Sequence, residues 1–168
     1  MSFTPVVIER LEEGTAAYLA GRCDALSSDR ASLAGIRARA PRPEEHIVLA
    51  DVISKAPYGP GVMNNDTRWV EIVRWAVFAM IDAEELGLSS ANVDQPSVDD
   101  DPDVERFLGR TDGFGPMLGL DADWAQRIVK QVGNYEESFN RNLKPLGIER
   151  GLNRLWKNGG ILYAPALR

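Results

Sequence analysis

The stretch from Thr67 to Leu86 constrains this chain more than any other. Asn64-Asn65-Asp66 supplies side chains that open a helix and Gly87 supplies a residue that closes one, so the pattern predicts a helix over 67–86. Trp69, Ile72, Val73, Ala76, Met80 and Ala83 form one apolar stripe along it. Val70, Val77 and Ile81 widen that stripe beyond the arc of an ordinary surface helix, so it needs cover on more than one side. Trp69 and Trp75 read as core packing, since aromatic rings bring large buried area. Glu71, Arg74, Asp82, Glu84 and Glu85 interrupt the region, and membrane insertion is not expected.

The residues ahead of that helix follow another pattern. Phe3–Ile8 is β-branched and apolar, with Pro5 near its start, and reads as a strand. Glu9–Ala20 places Leu11, Thr15, Tyr18 and Leu19 on one helical face and stops at Gly21. Cys23–Leu26 is a short second strand. Strand, helix and strand predict a βαβ unit, hence a parallel pair joined by a right-handed crossover. A short helix is expected over Arg30–Ala40, ending before Pro41 and Pro43. The nearly continuous apolar run His46–Ile53 then reads as a largely buried strand. Pro57, Gly59, Pro60 and Gly61 crowd the stretch 54–61, which marks a crossing or hinge.

Beyond the long helix, Ser89–Asp103 is polar and carries Asp99-Asp100-Asp101. Calcium is not expected there, because the turn glycine and terminal glutamate of a calcium loop are not at the required spacing. The acids read instead as a solvated loop at the N-terminus of a helix Val104–Leu108. Gly109–Gly119 is a glycine-rich connection whose Gly113-Phe114-Gly115 lacks the context of a phosphate loop. A helix from Trp124 to about Asn142 is expected, capped by Asp121 or Asp123 and weakened by Gly133. A last helix, Ile148–Lys157, should end at Asn158-Gly159-Gly160, and the tail ILYAPALR carries no signal of its own.

A ligand site is expected at the end of strand Cys23–Leu26, where Ser27, Ser28 and Asp29 meet the start of the next helix. In open α/β sheets, ligands bind at strand carboxyl ends, where helix N-termini converge. Asp29 can cap helix 30–40, and that role can coexist with holding a ligand.

Charge and residue counts narrow the function. A net charge of −6 disfavours a polyphosphate, so no nucleic-acid partner is expected. A single cysteine excludes an internal disulfide, and with one histidine, His46, a Cys–His nucleophile lacks its orienting third group. No acid–base pair and no cofactor motif stand out, and an enzyme is not expected. The opening MSFTPVVIERLEE has neither a basic n-region nor an apolar h-region, so export is not expected to be encoded in this chain.

The stretch Gly21-Arg22-Cys23-Asp24-Ala25-Leu26-Ser27-Ser28-Asp29 resembles the second-lobe motif of periplasmic binding proteins for amino acids. Phe3-Thr4-Pro5-Val6-Val7-Ile8-Glu9, Trp69 with Ile72-Val73-Arg74-Trp75, and Ala83-Glu84-Glu85-Leu86-Gly87 extend the match. So do Ser90-Ala91-Asn92-Val93-Asp94, Val129-Lys130-Gln131-Val132-Gly133-Asn134-Tyr135 and Tyr163-Ala164-Pro165. Together they resemble the C-terminal half of the general L-amino-acid binding protein family of ABC uptake systems.

The resemblance implies an α/β fold of the type II periplasmic-binding-protein kind, present as a fragment. Residues 1–53 would form part of lobe two, 54–61 the hinge crossing and 62–168 the helical return to lobe one. It implies that Asp29 holds the α-ammonium group of an L-amino acid, with Ser27 and Ser28 nearby, that an ABC permease is the partner, and that the location is periplasmic. It also implies that Cys23 is half of a bridge whose other cysteine precedes Met1. Since the family's arginine for the ligand carboxylate would lie outside this chain, amino-acid binding should be weak or need a second chain. A sheet lacking an inner strand exposes its edges. Either Phe3–Ile8 pairs with Cys23–Leu26, or chains share strands in a swapped homo-oligomer. Association is the expected outcome, because the wide face of helix 67–86 needs a partner surface.

Overall fold

The structure, a computed structural model, describes residues 2–96, 101–111 and 113–167. Its chain divides into two compact units: residues up to Tyr58 together with Pro145–Ile148, and Gly59–Lys144 together with the residues from Glu149 onward.

In the first unit, α1 (Leu11–Leu19) starts with Glu12 and Glu13 in its first turn, where the positive end of the helix dipole favours them. It ends as its sequence demands. Gly21 takes φ 70°, its N–H reaches the Tyr18 carbonyl at 2.9 Å, and the Arg22 N–H reaches the Ala17 carbonyl at 3.0 Å. Those two bonds satisfy carbonyls that the helix leaves open, and they need a residue that tolerates positive φ. Next comes α2 (Arg30–Arg39), with Arg37 and Arg39 in its last turn. A 3-10 turn, Pro43–Glu45, leads to His46, whose Nδ1 shares a 2.8 Å hydrogen bond with the Tyr18 hydroxyl. The single histidine is thereby engaged with a residue of α1.

The expected strands Phe3–Ile8, Cys23–Leu26 and His46–Ile53, and with them the βαβ unit, do not form. Among the described residues, β-pairing amounts to an isolated parallel bridge between Leu155 and Leu162. The physical reason is that a strand exists only through a backbone partner, whereas an apolar β-branched run states only a demand for burial. That demand is unmet here: Phe3, Val7, Ile47 and Ile53 are each at least 80% exposed.

In the second unit, α3 (Thr67–Glu85) begins at Asp66, whose carboxylate accepts the Trp69 N–H at 2.9 Å, and closes through Gly87 at φ 72°. Around it stand α4 (Pro102–Phe107), α5 (Gly115–Leu118), α6 (Trp124–Val132) and α7 (Tyr135–Asn142). Helix α3 packs against α5, α6 and α7. Its wide stripe is covered from two sides. Ala79 and Ala83 join Val93, Phe107, Leu118, Ala125 and Val129 in the main core, with Ile72 and Trp75 packed against it. Ile81 joins Leu155 and Ala164 in a second cluster, together with Val77 and Phe78. The cover expected from another chain is therefore supplied, over the C-terminal half of α3, by the chain's own elements. Trp75 meets Phe114 within this packing, with ring centres 4.3 Å apart and the planes tilted by 55°. Trp69 departs from its expected core role: in the first turn of α3 it is 51% exposed.

Two further expectations are corrected. Trp124–Asn142 is two helices, broken where Gly133 adopts φ 89° and ψ 173°, a region open essentially only to glycine. Asn134 then starts α7 with a capping box: its side chain accepts the Glu137 N–H at 2.9 Å, and Glu137 accepts the Asn134 N–H at 2.8 Å. Ile148–Lys157 is not a helix but holds the 3-10 turns Gly151–Asn153 and Trp156–Asn158. Backbone groups there pair instead around the parallel bridge Leu155–Leu162, Trp156 N–H to Leu162 O at 2.9 Å and Leu162 N–H to Arg154 O at 3.1 Å. The tail, which carries no sequence signal, buries Ala164 and Leu167 in the two clusters.

Candidate functional site

Asp29 stands at the N-cap of α2 with φ −65° and ψ 153°. Its Oδ1 accepts the Ser32 backbone N–H at 2.8 Å, so capping is a role it performs. A carboxylate offers about four acceptor positions, and one is used by this bond. The carboxyl is held below the usual aspartate range, first by the Ser32 side chain, which outweighs the opposing effect of burial, and then by the Ser32 backbone, the Tyr58 hydroxyl and the Ala31 backbone. Tyr58 is pushed up in turn, chiefly by its interaction with Asp29.

Ser27 is exposed, and Ser28 and Asp29 are half-buried. The arrangement is thus a charged acceptor, open to solvent, at a helix start and preceded by two hydroxyls. Tyr58 was not singled out by its sequence context; an aromatic hydroxyl inside the proline- and glycine-rich stretch 54–61 was the available signal. Other sequence features resolve into structural roles. Asp101 caps α4 through the Asp103 N–H at 2.9 Å, while Asp99 and Asp100 lie outside the described residues. Gly115 opens α5, and Phe114 packs on Trp75. Cys23 is a half-buried free thiol. Among the described residues, no cluster of three or more His, Cys, Asp or Glu side chains could hold a metal ion, and no helix is long and apolar enough to cross a membrane.

Comparison with known proteins gives this geometry a context. No family model matches the chain. A solved ABC transporter periplasmic binding protein from Brucella ovis, with glutathione bound, superposes on the whole chain at a TM-score of 0.91 and 45% identity, the chain covering 54% of that protein. Over its whole length the chain therefore has the fold of about half of that periplasmic binding protein.

The particular relatives agree. The whole chain is 49% identical to the general L-amino acid-binding periplasmic protein AapJ of Rhizobium johnstonii, of which it covers 51%. It is 48% identical to the putative amino-acid ABC transporter-binding protein YhdW of Escherichia coli, covering 50% of it. The glutamate/glutamine/aspartate/asparagine-binding protein BztA of Rhodobacter capsulatus is 39% identical, again with 51% covered. The chain spans about half the length of the curated relatives it matches. It is a relative of the amino-acid-binding proteins of ABC transporters, and the match to one half of such a protein accords with the sequence resemblance to the C-terminal half. These relatives are named as binding proteins, not enzymes.

Proposed function

We propose that this chain carries part of the amino-acid site of a periplasmic solute-binding protein serving an ABC uptake system, with Asp29 receiving the ligand's α-ammonium group. The observation that carries this reading is the 49% identity of the whole chain to about half of a general L-amino acid-binding protein. The site chemistry supports it. Asp29 is ionised at neutral pH, and an ammonium group can donate to it beside the Ser32 bond. Ser27 and Ser28 supply adjacent hydroxyls. Glutathione, bound in the Brucella relative, carries a free α-ammonium and α-carboxylate at its glutamyl end, the same head group as a free amino acid. In this reading residues 1–53 belong to one lobe, 54–61 to the hinge and 62–168 to the other lobe, an ABC permease is the partner, and the location is periplasmic.

The test is calorimetric titration of the chain with L-glutamate, L-glutamine, L-alanine and glutathione, beside an Asp29→Asn variant. Asparagine caps helices as well as aspartate does, so the variant removes charge and spares the helix start. Saturable heat in the parent that vanishes in the variant supports the reading. No heat from any ligand, or heat unchanged by the variant, overturns an autonomous site at Asp29.

A second reading rests on a separate observation, the exposed apolar segments 3–7 and 47–53 of the first unit, with Val7 92% and Ile53 85% exposed. Here the chain associates with further copies by strand sharing and holds no ligand alone. Light scattering separates the two: a monomer at micromolar concentration removes this reading.

A further inference from the structure

Within the second unit, the end of α3, α4 and the C-terminal tail line a half-open cavity of about 340 Å³, at the small end of ligand-sized pockets. Asp82 and Glu85 enter its wall from α3, Asp103 and Phe107 from α4, and Trp156 and Tyr163 from the closing turns and tail. No lysine or arginine lines it among the described residues.

Asp82 is unlike the other acids there. Asp103 is paired with Arg106 at 2.6 Å, and Glu85 accepts the Trp156 indole N–H at 3.0 Å. Asp82 is only 8% exposed, and its Oδ2 is sealed from solvent with no hydrogen-bond partner among the described residues, so a ligand in the cavity can meet only the other carboxylate oxygen. A buried carboxylate short of donors is costly, and a donor bearing positive charge relieves that cost most. The rim has matching chemistry. Trp156 and Tyr163 meet edge to face at 5.9 Å, both more than half exposed, while Phe107 is buried behind. Aromatic faces favour an alkylammonium ion over a hydrated metal, and with no cationic side chain in the lining a ligand carboxylate has nothing to pair with.

We propose that this cavity binds a small aliphatic amine as its ammonium ion, with Asp82 as the receiving carboxylate and Trp156 and Tyr163 against the alkyl chain. The site is separate from Asp29 and selects against zwitterionic amino acids. Asp82 is pushed up to about 7, first by burial and then by the charges of Glu85 and Asp103. The other groups that bear on it are Arg106, which neutralises Asp103, Lys157, whose Nζ donates to the Glu85 carbonyl at 2.8 Å, and the Tyr163 hydroxyl. Because an ammonium ion favours the ionised form, affinity falls below neutrality, by roughly thirtyfold between pH 8.5 and pH 5.5.

The experiment titrates n-butylamine into the whole chain in phosphate buffer at pH 8.5 and 5.5, following the Trp156 indole N–H resonance by NMR, with n-butanol as the uncharged counterpart. Saturable binding of the amine at pH 8.5, weaker at pH 5.5, is expected. Asp82→Asn should abolish it, Tyr163→Ala should weaken it several-fold at an exposed position that does not threaten folding, and Asp29→Asn should leave it unchanged. Equal affinity for butanol, no saturable shift at Trp156, amine binding unaltered in Asp82→Asn, or its loss in Asp29→Asn overturns the proposal.

Discussion

Arg150 and Glu84 form a two-pronged ion pair, Nη1 to Oε1 at 2.7 Å and Nη2 to Oε2 at 2.9 Å, with side chains only 12% and 8% exposed. The guanidinium also lies 5.7 Å from the Tyr135 ring centre and 5.8 Å from that of Phe139. One contact set thus joins α3, α7 and the segment that follows α7. Truncating either partner leaves a charge largely out of water, so Arg150→Ala or Glu84→Ala should each lose about 3–5 kcal/mol in urea unfolding. Arg150→Met with Glu84→Leu, which removes both charges, should recover most of that loss.

Asp82 contributes a pH dependence to the stability of the second unit. Its folded value of about 7 lies above the ordinary aspartate range, so between roughly pH 4 and 7 the folded state holds a proton that the unfolded state has released. Stability from this residue is therefore full below pH 4 and declines as pH rises through 7. Asp82→Asn should stabilise the chain at pH 8 by on the order of 2 kcal/mol and have little effect at pH 4. Thermal melts of both proteins at the two pH values read the difference directly, and an equal gap at both would contradict the assignment.

Gly133 should resist substitution. At φ 89° and ψ 173° an added Cβ is strained, and it would also meet the Glu137 Cβ at 2.9 Å. Glu137 serves the capping box and accepts the Ser90 hydroxyl at 2.5 Å, so displacing it disturbs two contacts. Gly133→Ala is expected to cost about 1–3 kcal/mol. Asn134→Ala, which removes the cap and the 2.8 Å bond to the Leu88 carbonyl, should cost about 1–2 kcal/mol. Chemical unfolding monitored by circular dichroism checks both.

At Asp29, capping and ligand charge can be told apart by stability alone. Asp29→Ala should lose about 1 kcal/mol from the start of α2, whereas Asp29→Asn should lose almost nothing at neutral pH. Since the folded carboxyl lies below its usual range, its contribution is present above about pH 4 and is lost as pH falls through the folded value. An Asp29→Asn chain as unstable as Asp29→Ala would show that the charge, not the cap geometry, holds α2.

The helices were largely legible because their signals are local. Asp29 and Asp66 cap where an acid precedes an apolar-periodic run, and Gly21 and Gly87 close helices at positive φ. The Gly133 break was also written locally, as Asn134 followed three residues later by Glu137, but a continuous apolar stripe obscured it. The site at Asp29 was readable only as an acid at a helix start. Its interaction with Tyr58, 29 positions away, left no periodic trace.

What the sequence determined by itself was the position and ends of α1, α2 and α3 and kinship, since propensity, capping and turn chemistry act over a few residues. What only the tertiary structure decided was pairing and burial. Phe3–Ile8 and His46–Ile53 have strand composition yet find no ladder, because backbone pairing needs a second segment at the right place. Residues 154–162 became turns and a bridge for the converse reason, that a partner was close at hand. Asp82 looks in sequence like any polar break in an apolar helix. Only the fold, by closing α4 and the tail over it, makes it a buried acid at the wall of a cavity, and burial is a property of the surroundings that no single stretch of sequence contains.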